Sequence, residues 1–343
     1  MQKDKYILIT GGAGFIGSHT YVELLNSGYI PVIADDFRNA NSLVIKNLEK
    51  LTDKPVLLAE IDVTDQEKLE KLFERYNFEG IIHFAAYKAV GESVKEPLKY
   101  YENNIGSLVQ TLKLAVKYDV KNFVFSSSCT VYGAPDERNE VSEDQVQSLA
   151  NSPYGQTKII GEIILKDFRI AHPDFRLIAL RYFNPIGAHP SGLIGEFPIG
   201  TPNNLLPYIT QTAIGKLKEL TVFGDDYNTD DGTCIRDYIH VCDLAKAHVK
   251  AFEFGQKCDD GCLEFINVGT GKGNSVLEII HQFEHLTQLK LNYKIGPRRE
   301  GDVPAIYANT DKVNRLLNWK PEYSLSNAIE HAWNWEKNLQ HEN

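Results

Sequence analysis

Tyr154 and Lys158 stand four residues apart in the stretch Ser152-Pro153-Tyr154-Gly155-Gln156-Thr157-Lys158. Ser152 suits a helix N-cap and Pro153 the first helical position, so both side chains fall on one helix face. An ammonium beside a phenol favours the phenolate and lowers its pKa toward neutrality. Tyr154 is then a usable general base. A solvated amphipathic pair would show the same spacing, so the reading depends on what else the chain brings to this helix.

The second candidate is Gly11-Gly12-Ala13-Gly14-Phe15-Ile16-Gly17, directly after an apolar run (Tyr6–Thr10) and opening an amphipathic one. Gly11, Gly14 and Gly17 allow a tight turn whose backbone N–H groups approach a pyrophosphate at a helix N-terminus. An acidic pair, Asp35 and Asp36, ends the next apolar run, with Asp35 eighteen residues beyond Gly17. That is close to the ~20 expected for the acid that binds an adenosine ribose. A carboxylate there repels a 2′-phosphate, so NAD is expected over NADP. Arg38 pulls the other way, but two acids should outweigh it. A bound nicotinamide cation would lower the pKa of Tyr154 further. The third candidate is Phe125-Ser126-Ser127-Ser128-Cys129-Thr130-Val131-Tyr132-Gly133, where a strand delivers a run of hydroxyls to its C-terminal edge, the edge where such sheets bind ligands. Ser128 could hydrogen-bond a sugar hydroxyl or its keto form.

These residues need a frame to hold them. Short β-branched and aromatic runs predict strands over 6–10, 31–35, 55–61, 80–85, 122–127, 176–182 and 264–268. Between them, helices are predicted over 15–27, 42–51, 66–76, 97–118, 153–171 and 240–254. The alternation predicts an α/β fold: a doubly wound parallel Rossmann sheet with helices on both faces. The rhythm breaks after Phe183. Residues 184–204 are rich in Gly, Pro, Asn and His, and a stretch of that length without periodicity is usually functional. Shorter elements follow: a helix near 206–215, a strand near 220–223, a helix over 276–285, a strand over 290–295 and two C-terminal helical segments. They read as a smaller α/β substrate domain interleaved with the first. The expected division is 1–184 plus about 238–270 for the NAD-binding domain, and about 185–237 plus 271–343 for the second, substrate-binding domain.

Composition narrows the partners. Across 343 residues, 36 Lys and Arg stand against 46 Asp and Glu, a net charge of −10, which argues against nucleic acid. Five cysteines (129, 234, 242, 258 and 262) are odd in number and too sparse for a disulfide framework, which favours a reducing compartment. Cys258-x-x-x-Cys262 has no second ligand cluster at metal spacing, and no metal is expected. No apolar run approaches the ~20 residues of a membrane span. The N-terminal apolar run meets Gly11-Gly12 after five residues and reads as a strand rather than a signal peptide. A cytoplasmic location is expected.

The whole chain resembles the extended short-chain dehydrogenase/reductases, and within them the UDP-galactose 4-epimerases. The matching stretches are 11–19, 82–93, 125–133, 152–158, 181–192, 203–207, 236–243 and 297–302. Asp36 is a local departure, because many relatives carry Asn there. The resemblance implies cofactor contacts from Gly11, Gly14, Phe15, Ile16, Gly17, Asp35, Asp36, Asn39, Asp62, Val63, Phe84, Ala85, Ala86, Lys88, Asn103, Ser128, Tyr154, Lys158 and Phe183. It implies nucleotide-sugar contacts from Lys88, Ser128, Tyr154, Asn184, Asn204, Leu205, Thr221, Val222, Phe223, Arg236, Arg299, Asp302 and Ile306. Arg236 and Arg299 are cations in an acidic protein, suited to a diphosphate.

The implied reaction interconverts UDP-glucose and UDP-galactose. Tyr154 removes the 4-hydroxyl proton while C4 passes hydride to NAD; the bound 4-keto sugar turns over, and hydride and proton return on the other face. Lys158 tunes the tyrosine and Ser128 assists proton movement. Ile306 is implied to lie beside the sugar C2 substituent, where a Tyr narrows the pocket and a Cys or Ser widens it, so N-acetylated UDP-hexosamines are expected as secondary substrates. Tyr307 could instead turn into the pocket. A homodimer through helices 97–118 and 153–171 is also implied. The rivals are another nucleotide-sugar enzyme and a non-catalytic NAD-binding protein. A dehydratase of this kind typically carries Asp-Glu after the catalytic Ser or Thr, where this chain has Cys129 and Thr130; non-catalytic relatives commonly lose the tyrosine or lysine, and both are present here.

Overall fold

The alternation of buried runs builds a seven-stranded sheet in the computed structural model, which describes residues 4–133, 139–145, 149–299 and 301–341. Its strands are β1 (Tyr6–Thr10), β2 (Ile30–Asp35), β3 (Leu57–Glu60), β4 (Phe78–His83), β5 (Asn122–Ser126), β6 (Arg176–Tyr182) and β7 (Cys262–Val268). They lie in the order β7-β6-β5-β4-β1-β2-β3, every pair parallel. Successive side chains take opposite faces of a strand. Ile7 and Ile9 accordingly join one apolar core, with Leu24 and Phe252, while Leu8 joins the other, with Leu69, Phe123 and Leu165. Both faces are covered by helices, as a doubly wound sheet requires.

The strand order reverses between β1 and β4. A crevice at such a switch point, beyond the C-terminal strand ends, is where open α/β sheets bind ligands. The glycine turn leaves β1 there and Phe84 leaves β4 there; the Phe84 N–H donates to Thr10 O at 2.9 Å.

A smaller sheet lies beyond the end of β6. Strand Ile235–His240 is its centre, pairing with Gly273–Ser275, Ala305–Ala308 and Asn184–Ile186, and Ala305–Ala308 pairs in turn with Glu140–Val141. Leu220–Phe223 and Tyr293–Gly296 form a separate parallel pair. Helices Leu205–Ala213, Val276–Thr287 and Leu325–His341 share the apolar core of this half of the chain, through Leu206, Ile280 and Ile329 among others.

The structure corrects several sequence expectations. The strand expected over 290–295 begins only at Tyr293, and those expected over 55–61 and 80–85 run Leu57–Glu60 and Phe78–His83. The single helix expected over 97–118 is three pieces: Pro97–Tyr100, a π-helical turn Tyr101–Ile105 and Gly106–Lys117. Helix Val90–Lys95 and strands Ile235–His240 and Ala305–Ala308 carried no expectation. Glu300, inside the 297–302 stretch, lies outside the described residues. Among the described residues, no helix is long and apolar enough to cross a membrane.

Candidate active site

The glycine turn is tight because its glycines have no room for more. Gly11 takes φ +69°, and a Cβ there would lie 2.8 Å from Ala85 N; one on Gly17 would lie 2.4 Å from Gly11 O. Gly14 is the N-cap of helix Phe15–Asn26 and supplies no side-chain cap. First-turn N–H groups therefore face the crevice without a side-chain acceptor, an anion-binding arrangement. Asp35, at the end of β2, accepts the Ala13 N–H and the Phe37 N–H, both at 2.9 Å. Burial pushes its carboxyl up, and these backbone N–H groups work against that. Arg38 is occupied: it bridges Asp36, at 2.5 Å, and Asp62, and its Nη1 donates to the Tyr87 hydroxyl at 3.1 Å.

Helix Pro153–Ala171 starts as the sequence predicts, with Ser152 Oγ accepting the Gly155 N–H at 3.2 Å. It lies close against β5 because Gly161 faces it: a Cβ there would meet the Phe125 ring at 2.7 Å. At that separation Lys158 Nζ reaches Ser126 O at 2.7 Å and sits 5.9 Å from the centre of the Tyr154 ring. Burial dominates both groups. It depresses the Lys158 ammonium to about 7 and raises the Tyr154 phenol well above its ordinary range; Tyr182 adds to the rise and a hydrogen bond with Ser128 tempers it. The expected lowering of the phenol by Lys158 is therefore not met in the chain by itself: burial raises it instead. A cation brought beside the phenol would work against that burial.

At the far side, Arg236 lies on strand Ile235–His240 and donates through Nη1 to Ile235 O and Val303 O, both at 2.8 Å. Its Nη2 stands 3.4 Å from Asp302 Oδ1, and Arg299 grips the same carboxylate through Nε at 3.1 Å and Nη2 at 2.8 Å. One acid thus gathers two guanidinium groups side by side.

All of this faces one cavity of about 1230 Å³, lined by the glycine turn, Asp35, Tyr154, Lys158, Asn204 and Arg236 among others. Of the site residues expected from sequence, Ser128 and Phe183 stand apart from its wall. Ser128 is buried and accepts the Thr130 N–H at 3.2 Å; Phe183 packs with Val131, Ile159 and Ile306. Every other expected residue is on the wall. Ile306 lies there while Tyr307 does not, as alternation along the strand dictates.

The structure adds residues that sequence reasoning passed over. Glu196, within the irregular 184–204 stretch, accepts Lys88 Nζ at 2.9 Å and Asn204 Nδ2 at 2.6 Å on one oxygen. Its backbone carbonyl takes the Trp335 indole N–H at 3.0 Å. Two of the expected ligand contacts are therefore held by one acid from the stretch that covers the crevice. Tyr182 also lines the cavity, its hydroxyl 2.5 Å from Ser126 Oγ. The Arg-Tyr-Phe-Asn stretch was a signal for Tyr182; nothing in the pattern singled out Glu196.

Comparison with known proteins follows the same lines. The family model described as GDP-mannose 4,6 dehydratase matches residues 8–332. The chain is 48% identical to a UDP-glucose 4-epimerase of Caenorhabditis elegans over 339 residues, 96% of this chain and 97% of the relative. The chain belongs to the UDP-glucose 4-epimerase family. Membership extends to tertiary structure. A UDP-glucose-4-epimerase from Stenotrophomonas maltophila, crystallised with NAD and formylated UDP-arabinopyranose, superimposes with a TM-score of 0.95 at 41% identity, covering 99% of this chain and 100% of the other. One from Bifidobacterium longum, in complex with NAD+ and UDP, gives 0.94 at 44% identity, covering 98% and 99%. Cys129 and Thr130 follow Ser128. Thr130 has no acidic proton to move, and burial pushes the Cys129 thiol up to about 12.

Proposed function

We propose that this chain interconverts UDP-glucose and UDP-galactose, using NAD held in the switch-point crevice. The observation that carries the reading is the single cavity joining the glycine turn, the Tyr154–Lys158 pair and the Arg236–Arg299 pair. The residues fit NAD on geometry. The turn leaves no space for a Cβ at Gly11 or Gly17, its N–H groups point at the crevice, and each Asp35 oxygen takes one N–H and keeps a lone pair for a ribose hydroxyl. Arg38, already bridging Asp36 and Asp62, is poorly placed to receive a 2′-phosphate.

When bound, NAD supplies a two-electron acceptor that takes and returns the hydride of the sugar C4, and a cation beside the phenol. The protein does the rest. Tyr154 takes the 4-hydroxyl proton and later returns it, and Lys158 holds positive charge next to it. Ser128, buried just behind the wall, is the hydroxyl we assign to assist proton movement. Arg236 and Arg299 hold the diphosphate, so the keto sugar can turn without leaving. The division into a cofactor domain (1–184 plus about 238–270) and a substrate domain (the remainder) follows from this assignment. Purified protein given UDP-galactose, with no added NAD, is expected to yield UDP-glucose with no accumulation of NADH, and cofactor extraction is expected to give NAD or NADH with almost no NADP. A strict need for added cofactor consumed in step with product would overturn the reading.

Ile306 supports N-acetylated UDP-hexosamines as secondary substrates, since it presents an apolar wall smaller than Tyr at the cavity. Ile306→Tyr is expected to abolish N-acetyl turnover while sparing the glucose–galactose pair. Parallel loss of both activities, measured by separation of the four UDP-sugars, would remove that role.

The chain also carries an apolar surface suited to a second copy. Leu98 is 79% exposed and Ile170 81% exposed, with Ile163 seven residues before Ile170 on the same face of its helix. We read this as a homodimer face on helices Pro97–Tyr100 and Pro153–Ala171. Light scattering is expected to give twice the chain mass, and Ile170→Glu to halve it; a wild-type monomer contradicts the assignment.

A further inference from the structure

Beneath the Tyr154–Lys158 pair lies a buried charge cluster that the reaction does not use directly. Glu162 is on the same helix face, two turns beyond Tyr154 and one beyond Lys158. Its side chain is fully buried, and Arg181, from β6, grips it with Nε on Oε1 at 2.9 Å and Nη2 on Oε2 at 2.7 Å. Arg181 Nη1 also donates to the Tyr132 hydroxyl at 3.0 Å, which donates to Asn267 Oδ1 at 2.6 Å. On the other side, the Ser127 hydroxyl donates to Glu162 Oε1 at 2.6 Å. Two consecutive serines at the end of β5 are thereby engaged with this helix face. Ser126 offers its carbonyl to Lys158 and Ser127 its hydroxyl to Glu162.

A fully buried ion pair is a weak source of stability, because the desolvation of two charges offsets their attraction. What it does supply is a fixed geometry, with a planar fork and a carboxylate locked against each other. We propose that Glu162, backed by Arg181, is a positioning residue: through Ser127 it sets the position of the strand end that presents Ser126 O to Lys158, the helix-face neighbour of Tyr154. The proposal rests on the epimerase reading and deepens it. Loss of the tether lets the strand end drift, and displacements of about 1 Å at reacting groups can cost up to ~100-fold in rate.

Ser127→Ala is the clean test, because it cuts the tether and leaves the Arg181–Glu162 pair intact. Wild-type interconversion is measured first; its absence overturns the functional reading, and this proposal with it, before any variant is read, so the two failures are told apart. With wild type active, Ser127→Ala is expected to lower kcat about tenfold, with KM unchanged and the acid limb of the pH–rate profile moved upward. Ser127→Thr restores the hydroxyl and is expected to recover kcat to within about threefold. A merely structural role would lower the melting temperature and the yield but leave kcat per folded enzyme and the pH profile in place. The proposal is overturned by Ser127→Ala turning over like wild type, or by Ser127→Thr failing to rescue. Should Ser127→Ala not fold, Ser127→Cys keeps the volume with a weak donor and is read by the same outcomes.

Discussion

Tyr154→Phe is expected to retain cofactor and lose turnover by a factor of 10² to 10⁴ or more, the range for loss of a general base. The substitution keeps the ring, which is buried at the N-terminal end of helix Pro153–Ala171, and removes only the oxygen. Thr157 donates to the Tyr154 backbone carbonyl at 2.7 Å, a bond the variant leaves in place, so the first helical turn keeps its form. Cofactor content by extraction, together with kcat, checks the outcome. Cofactor retained with near-normal kcat would assign the proton to another group.

Lys158→Met is expected to split function from stability. The rate should fall, and the acid limb of the pH–rate profile should move to higher pH, because a phenol already raised by burial loses its neighbouring cation. The folded protein should nonetheless gain stability. Burial depresses the Lys158 pKa to about 7, well below the ~10.4 of the unfolded chain. Between those values the unfolded state binds more protons than the folded one, so wild-type stability rises with pH across that window. Below about pH 7 wild type carries the full cost of a buried ammonium. The Met variant avoids it, less one hydrogen bond to Ser126 O. Its advantage in melting temperature should be largest below pH 7 and fade toward pH 10; a variant less stable than wild type at pH 6 would contradict this. Such a trade between activity and stability is common where a site holds an unfavourable charge.

How much of this could be read from the chain depended on what each strand buries. β1 and β6 run as predicted, end to end, because a strand covered on both faces reads as a near-continuous apolar run, Tyr6–Ile9 in β1 and Leu177–Leu180 in β6. Strand Ile235–His240 did not read as one. It carries Arg236, Asp237, Tyr238 and His240, and the buried Asp237 is accommodated only by tertiary partners: the N–H groups of Thr270, Gly271 and Ala308 and the Thr270 hydroxyl. Those partners lie more than thirty residues away in sequence, beyond the reach of local pattern. The site divides the same way. The glycine turn, Asp35 and the Tyr154–Lys158 pair each announce themselves over a few residues. Glu196 and Glu162 look like ordinary surface acids, and only the fold shows one on the cavity wall and the other locked to Arg181.

The π-helical turn at Tyr101–Ile105 lets three successive helical pieces serve two clients. An α-helix advances by about 100° per residue, so every side chain's bearing is fixed by its count from the first turn. A turn closed one residue late resets that count. Here Asn103 looks into the cavity while Asn104 points inward, holding the Tyr87 backbone by both N–H and carbonyl and donating to the Thr157 hydroxyl at 3.1 Å. Downstream, Leu108, Leu112 and Ala115 still meet the sheet. Angular phase, adjusted by one residue, lets the same helical stretch dock on the core at one end and present the Asn103 amide to the crevice at the other. An uninterrupted α-helix of the same length would have to give up one contact to keep the other.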